Sequence, residues 1–410
     1  MGQVVAGGEQ FETHIEADYR GRIIQKGPDS GALDAFGRQR FSQPFTLFDS
    51  MLRYTKRTDL WDESTVSGGT TNFLADESSL ELKTTVASGA TTLRRSRRHF
   101  PYQPGKSLLF MGSSVGNQPI AGLTQEIGYF DDDNGVILRA SGTTIQFVVR
   151  SSVTGTVQEN VVSQAQWNID TFAAFDFTKA NIFVTDLEWL GVGRVRCGFV
   201  IDGEIRYCHE FNHSNNIDSV YMTSAMLPAS YRIHNSSAIA SPAVLKQICT
   251  SVVSEGGYQP TGPIYVAGRG AGTFSDISTE TMVAAIRMAS GRTDNVIIPA
   301  QVDASIGGGP ASNIVAEWRL RLNPTVSGTW LEADNGRGNV QTMSNGTFSG
   351  GTVIGAGLVA SRSSIEFDPE SGLALSLGQS ITGVSDIIIL TLQCSSSEKA
   401  TGLLGWREVL

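Results

Sequence analysis

Between Trp61 and Pro263, apolar and polar residues alternate with a period close to two. The runs are short: SSLELKTTV, KSLLFMGSS, TIQFVVRSS, ANIFVTDLEWL, GRVRCGFVI and EIRYCHEF. This period puts successive side chains on opposite faces of a pleated strand, so one face can be buried while the other meets solvent; a helix would scatter the same residues around its axis. Between the runs lie turn signals, DDDNG and the pair Asp202–Gly203, whose residues tolerate the left-handed backbone of tight hairpin turns. The 45 glycines, dispersed among Ser, Thr and Asn, suit many such turns. An all-β protein of antiparallel sheets packed as sandwiches is predicted.

A chain of 410 residues, 40% of them hydrophobic, has material for more than one core. EGGYQPTGP, Glu255 to Pro263, concentrates Gly and Pro and marks the clearest boundary. Residues 61–262 are therefore read as a lectin-like jelly-roll sandwich, and residues 263–410, with VAAIRM, DNVIIPAQVDAS, VAEWRLRLNP, TVIGAGLVAS and SDIIILTLQC, as a second sandwich. TMVAAIRMAS also shows helical spacing, through Met282, Ala285, Ile286 and Ala289, but is read as a strand. Residues 1–60 lack such periodicity and are expected to form an extended arm. Its aromatics, Phe36, Phe41, Phe45 and Phe48, would be poorly buried by the arm alone, which points to docking on a neighbour.

A formal charge of −9 and a pI near 5.2 argue against a sequence-independent nucleic-acid binder, which needs clustered cations to neutralise phosphates. No apolar run approaches the roughly 20 residues that span a bilayer, and MGQVVAGGEQFETH has neither the basic nor the apolar region of a secretory signal. Neither membrane insertion nor signal-dependent secretion is expected. Four cysteines in a chain of this length do not make a disulfide framework.

Several short patterns suggest chemistry and fail on context. GSSVG centres Ser114 as a nucleophile elbow would, but NQPIAG follows where a helix must begin. GVGRVRCG lacks the third glycine of a dinucleotide fingerprint and continues as a strand. DDDNG, aligned with a calcium loop, puts Phe130 and Ser141 at ligand positions, so it is read as a hairpin turn. VTDLE is the sharpest enzyme candidate: on one strand, alternation would aim Asp186 and Glu188 into a cleft as helper and acid of a glycan hydrolase. Val184 stands where the nucleophile belongs. Cys197, Cys208, His209 and His213 contain zinc-ligand types, but adjacent strand residues point to opposite faces. If Asp202 and Gly203 form the turn, Cys197 faces Cys208, as two reduced, buried thiols or as a strained disulfide. RRSRRHF, Arg94 to Phe100, reads either as a solvated, salt-bridged edge strand or as an arginine-rich protein interface.

FGRQRFSQP, HFPYQPGKS, IGYFDDDNGV, LEWLGVGRVRCGFVIDG, YCHEFNHSN, LPASYRI and the terminal GWREVL together resemble tailed-bacteriophage virion structural proteins. The resemblance spans most of the chain and is strongest from Phe36 to Gly257. It implies a virion component, made in the host cytoplasm, with no enzymatic role. Arms and edge strands gain burial from neighbouring copies, so a homo-oligomer is expected, a trimer being one candidate. It would attach to capsid, portal, collar or tail proteins. Phe36, Arg38, Arg40 and Phe41, with Trp61 as a further anchor, are the expected contacts; no catalytic residue, metal or cofactor is expected. A carbohydrate-binding fibre module that contacts host-surface glycans is the alternative, and a hydrolase using Asp186 and Glu188 a more distant one.

Overall fold

The two-residue alternation becomes two antiparallel sheets facing each other across a shared apolar core in a computed structural model of the chain. Residues 43–259, 261–269, 275–292, 294–307, 315–333, 337–359, 363–366 and 373–409 are described, with four short strands nearer the start. The chain divides into two units, Met1–Gln43 and Pro44–Leu410. In the first, β1 (Val4–Ala6) pairs with β2 (Glu9–Phe11), and β3 (Glu16–Ala17) with β4 (Ile23–Ile24). Phe36, Arg38, Arg40 and Phe41 lie outside the described residues.

In the second unit, an eight-stranded sheet runs in the order β17 (Glu204–Phe211), β16 (Val195–Ile201), β15 (Ala180–Leu187), β10 (Leu108–Val115), β19 (Ala243–Ser254), β8 (Ser79–Thr84), β7 (Thr70–Leu74). Its eighth strand, β5 (Phe45–Met51), also pairs with β19. The seven-stranded partner runs β14 (Gln158–Ser163), β13 (Thr144–Ser151), β12 (Gly135–Ser141), β11 (Leu123–Phe130), β18 (Ala229–Asn235), β9 (Thr91–Ser96), β6 (Trp61–Val66). Aromatic rings close the gap between them: Phe110 lies 6.4 Å from Tyr129, and Phe147 lies 5.9 Å from Phe183 and 6.0 Å from Phe199.

The second sandwich has a five-stranded sheet, β20 (Tyr265–Arg269), β32 (Glu398–Val409), β23 (Val296–Gly307), β30 (Ser363–Glu366), with β21 (Ser275–Ile277) also on β32. Opposite it are six strands, β26 (Leu331–Glu332), β27 (Val340–Met343), β22 (Thr281–Met288), β31 (Ile387–Cys394), β24 (Ala316–Leu322), β29 (Thr352–Val359). β25 (Thr325–Gly328) and β28 (Gly346–Ser349) form a separate hairpin-like pair. TMVAAIRMAS is strand β22, as read. Its helical spacing arises because both faces are buried: Ala284 and Ile286 enter the sandwich core, while Met282 and Ala285 join Met343 and Ile389 in a second cluster against Val326 and Phe348. A bulge between Met282 and Ala284 shifts the register as well.

Two expectations need correction. The arm does not extend to residue 60, because Phe45–Met51 is a strand of the first sandwich. Phe48 is buried between Trp61 and Phe100, with ring centroids at 5.6 and 4.9 Å. Nor is RRSRRHF a solvated edge strand, since β9 lies between β18 and β6. Arg94 points into the sandwich and is fully buried. Its Nε donates to Gln247 Oε1 at 2.7 Å, its other nitrogens reach Glu63 and the Lys56 carbonyl, and its guanidinium lies 5.1 Å over the Trp61 ring. Arg95 faces outward to Asp132 at 3.0 Å. Arg97 pairs with Asp386, and Arg98 Nη1 donates to the Leu373 carbonyl at 2.9 Å, so the end of this run fastens the second sandwich to the first.

Removing residues 1–43 should therefore leave a cooperatively folding protein, whereas removing residues 1–60 should not. Phe48→Ala in the full chain should cost about 3–5 kcal/mol in urea denaturation, the usual cost of emptying a large buried aromatic site.

Candidate functional site

Strand β15 aims Phe183, Thr185 and Leu187 inward, which leaves Val184 and Asp186 on the outer face of the eight-stranded sheet. Asp186 is fully engaged there. One oxygen accepts from Arg196 Nε at 2.9 Å; the other accepts from the Arg196 Nη2 and the Tyr207 hydroxyl, and the guanidinium stacks 4.1 Å over the Tyr207 ring. Burial, together with the hydrogen bond to Asp186, raises the Tyr207 hydroxyl well above its ordinary pKa, so it remains a donor. The hydrogen-bonded carboxylate raises the Arg196 guanidinium in turn. Glu188 lies past the strand end, where its Oε1 accepts the Arg194 N–H at 3.3 Å and its backbone closes a turn. Gly193 belongs to that turn: a Cβ there would fall 2.1 Å from the Glu188 carbonyl oxygen. Thus Asp186 is tied into an ion pair, Glu188 into a turn, and the nucleophile position holds buried Val184.

The hairpin after it departs from the expected register. Cys197 pairs with His209, not Cys208, because a bulge intervenes between Cys197 and Gly198. Uniform pairing out from the Asp202–Gly203 turn cannot anticipate an extra residue on one strand. Cys208 thereby joins Cys197 in the core cluster, while His209 Nδ1 accepts the Asn168 N–H at 3.1 Å. Burial pushes the Cys208 thiol up to about 12 and raises Cys197 as well, so both remain protonated. Cys197, Cys208, Cys249 and Cys394 are free. Among the described residues no group of three or more His, Cys, Asp or Glu side chains is placed to hold a metal ion.

Ser114 is buried within β10, paired with Asn181 and Gln247, not at a strand-to-helix turn. DDDNG forms the β11–β12 turn, in which Asp131 Oδ1 accepts the N–H groups of Asp133 at 2.8 Å and Asn134 at 2.7 Å. Trp61, the proposed anchor, is 1% exposed and donates from Nε1 to Ser50 Oγ at 2.8 Å. It is a core residue, with no surface to offer a neighbour.

Sheet edges distinguish themselves more clearly. At β17, Asn168 imitates a strand: its Nδ2 donates to the Glu210 carbonyl at 3.0 Å and its Oδ1 accepts the Glu210 N–H at 2.9 Å, while Ile169 and Asp170 both donate to the Cys208 carbonyl. That edge is closed. β29, TVIGAGLV, pairs along one side with β24, and among the described residues no strand pairs with its other side. It has eight residues without a charge or proline, and Leu358 is 71% exposed. Its glycines answer to Trp318, since a Cβ on Gly357 would fall 2.6 Å from the Trp318 indole nitrogen. Beside it, Arg319 and Arg321 on β24 are held by Glu280 at 2.9 and 2.7 Å. TVIGAGLVAS was read as a strand; the missing gatekeeper charges were the available signal that it is an open edge.

No protein-family model and no curated protein matches the sequence. Solved structures match over about half the chain. An endo-acting O-glycanase of the human gut microbiota is 14% identical, covering 51% of this chain and 99% of its own, with a TM-score of 0.38. The CBM2 module of the evolved Dit of Lactobacillus casei BL23 phage J-1 is 8% identical, covering 54% and 100%, with a TM-score of 0.34. Peanut lectin is 10% identical, covering 52% and 98%, with a TM-score of 0.32. Superpositions this loose carry no inference about what the chain does.

The hydrogen bond from Arg321 sets the Glu280 carboxyl to about 2, against an ordinary 4.5, despite partial burial; at Glu159, partial burial is outweighed by Arg139 and Arg150, with the same result. A carboxyl depressed by folding contributes stability above its unfolded pKa and loses it as pH falls through the folded one. Glu280→Gln and Glu159→Gln should each cost up to about 1 kcal/mol at pH 7. Both should flatten the loss of stability between about pH 4.5 and 2, measured by urea denaturation across that range.

Proposed function

We propose that this chain is a non-enzymatic structural protein of a tailed-phage particle, which works by burying surface against companion chains. Its first companions are further copies of itself, and through them it attaches to head, collar or tail proteins. The observation that carries this reading is the open edge of β29. Unpaired strand edges are normally shortened, charged or covered, because their free N–H and C=O groups template the addition of another strand. Retaining a long uncharged edge is reasonable where a strand of another copy pairs with it. Two further features support contact over bond-making: the carboxylates at VTDLE are used up in an ion pair and a turn, and the buried thiols remain protonated. The resemblance of the sequence to virion proteins supplies the particle.

Sedimentation velocity of the full chain should reveal a concentration-dependent oligomer. Placing a lysine on the outer side of β29, Leu358→Lys, should shift it to monomer, while Val66→Lys, on the exposed end of β6, should not. A monomeric wild-type chain at high micromolar concentration would count against the reading. Deleting residues 1–43 should leave the fold intact and abolish incorporation into particles.

A further inference from the structure

The edge strand β29 carries a sequence that complements itself. Its regular part is GAGLV, Gly355 to Val359, because a bulge in the pairing with β24 skips Ile354: Leu320 faces Gly355 and Arg321 faces Val353. Within that stretch the two faces differ. Ala356 and Leu358 are exposed on the outer face, whereas Gly355, Gly357 and the buried Val359 lie on the core side. Among the described residues no strand pairs with the far side of β29.

When GAGLV is laid antiparallel against a second copy, with a twofold axis through Gly357, Gly355 faces Val359, Ala356 faces Leu358 and Gly357 faces its own counterpart. Every large side chain then meets a small one on its own face of the sheet, which is the condition for close cross-strand packing. Charge agrees with this register. Within the chain Glu317 faces Leu358 and Arg319 faces Ala356, so Arg319 comes level with the partner's Glu317 on the outer face, and the reverse. Moving the axis to Ala356 would instead bring Arg319 level with the partner's Arg319 and set Leu358 against the bulged Ile354.

The core side supplies a separate observation. Trp318 on β24 packs its indole against the two glycines: a Cβ on Gly355 would fall 3.6 Å from the ring, and one on Gly357 would fall 2.6 Å from Nε1. The side chain is 5% exposed, and its Nε1–H is buried without a hydrogen-bond partner. In the register above, the two Gly357 residues stand about 4.5–5.5 Å apart. The indoles over them therefore meet across the axis within the range of about 4.5–7 Å at which aromatic rings pair, and each N–H gains a π surface beside it.

We propose that β29 pairs with β29 of a second copy, antiparallel about a twofold axis at Gly357, so that two six-stranded sheets join edge to edge in a dimer. This pairing rests on the assembly reading above and adds to it the strand, the register and the closure, since an isologous contact uses both free edges and stops at two copies.

The test exchanges the sizes of the facing residues. Ala356→Leu sets a leucine against the partner's Leu358 and should weaken the dimer at least tenfold by sedimentation equilibrium, although it adds apolar surface. Ala356→Leu/Leu358→Ala restores a large residue opposite a small one and should return the dissociation constant to within threefold of the wild type. Both positions are exposed, and urea denaturation checks that folding is intact. Cross-linking adds a direct readout in a Cys249→Ser background, which removes the exposed native thiol. Oxidising an equimolar mixture of Ala356→Cys and Leu358→Cys chains should join residue 356 to residue 358, identified by peptide mass spectrometry, at least fivefold more than a mixture of Leu358→Cys and Val66→Cys chains joins 358 to 66. Undiminished association in Ala356→Leu, no rescue by the exchanged pair, no excess of the 356–358 link, or assembly beyond two copies that Leu358→Lys dissolves would each overturn the proposal while leaving self-association standing. A monomeric wild-type chain would remove both.

Discussion

The run Arg94–Arg98 holds the second unit together. Four arginines in five residues would normally be a solvated surface feature, because burying a guanidinium without partners is costly. Here each has a partner on a different element. Arg94 reaches across the sandwich to Gln247 and sideways to Glu63 on the neighbouring strand β6, and Arg95 holds the β11–β12 turn through Asp132. Arg97 and Arg98 cross to Asp386 and to the Leu373 carbonyl in the second sandwich. Burial lowers Arg94 to about 10, still far above neutral pH, so the charge persists inside the core and requires Glu63 there.

From this run the two sandwiches are positioned rather than merely tethered. Asp386 also accepts the Gly378 N–H and an Asn323 amide hydrogen, and the Gln379 N–H returns to the Arg97 carbonyl. The apolar core follows the same route, since Val296, Ile298 and Leu373 belong to the cluster that fills the first sandwich. A polar clasp over a continuous apolar core resists hinge motion better than either alone.

Much of this was legible in the sequence because period-two alternation is a local property of strands buried on one face. SSLELKTTV and TIQFVVRSS reveal themselves without knowledge of their neighbours. What was hidden is non-local. Phe48 reads as a stray arm aromatic until β19 is known to extend past β8 and receive β5 beside it. The arginine run reads as surface until Glu63, Gln247 and Asp386, distant along the chain, are brought to it. The Cys208 bulge leaves no mark in a hairpin whose turn is unambiguous.

Several polar groups that folding would strand are answered within the chain: Glu126, fully buried, pairs with Arg139 and Arg232, Asp186 with Arg196 and Tyr207, and the β17 edge with Asn168. The outer side of β29 is different: among the described residues no strand pairs with it, and its free backbone is complementary to an extended strand.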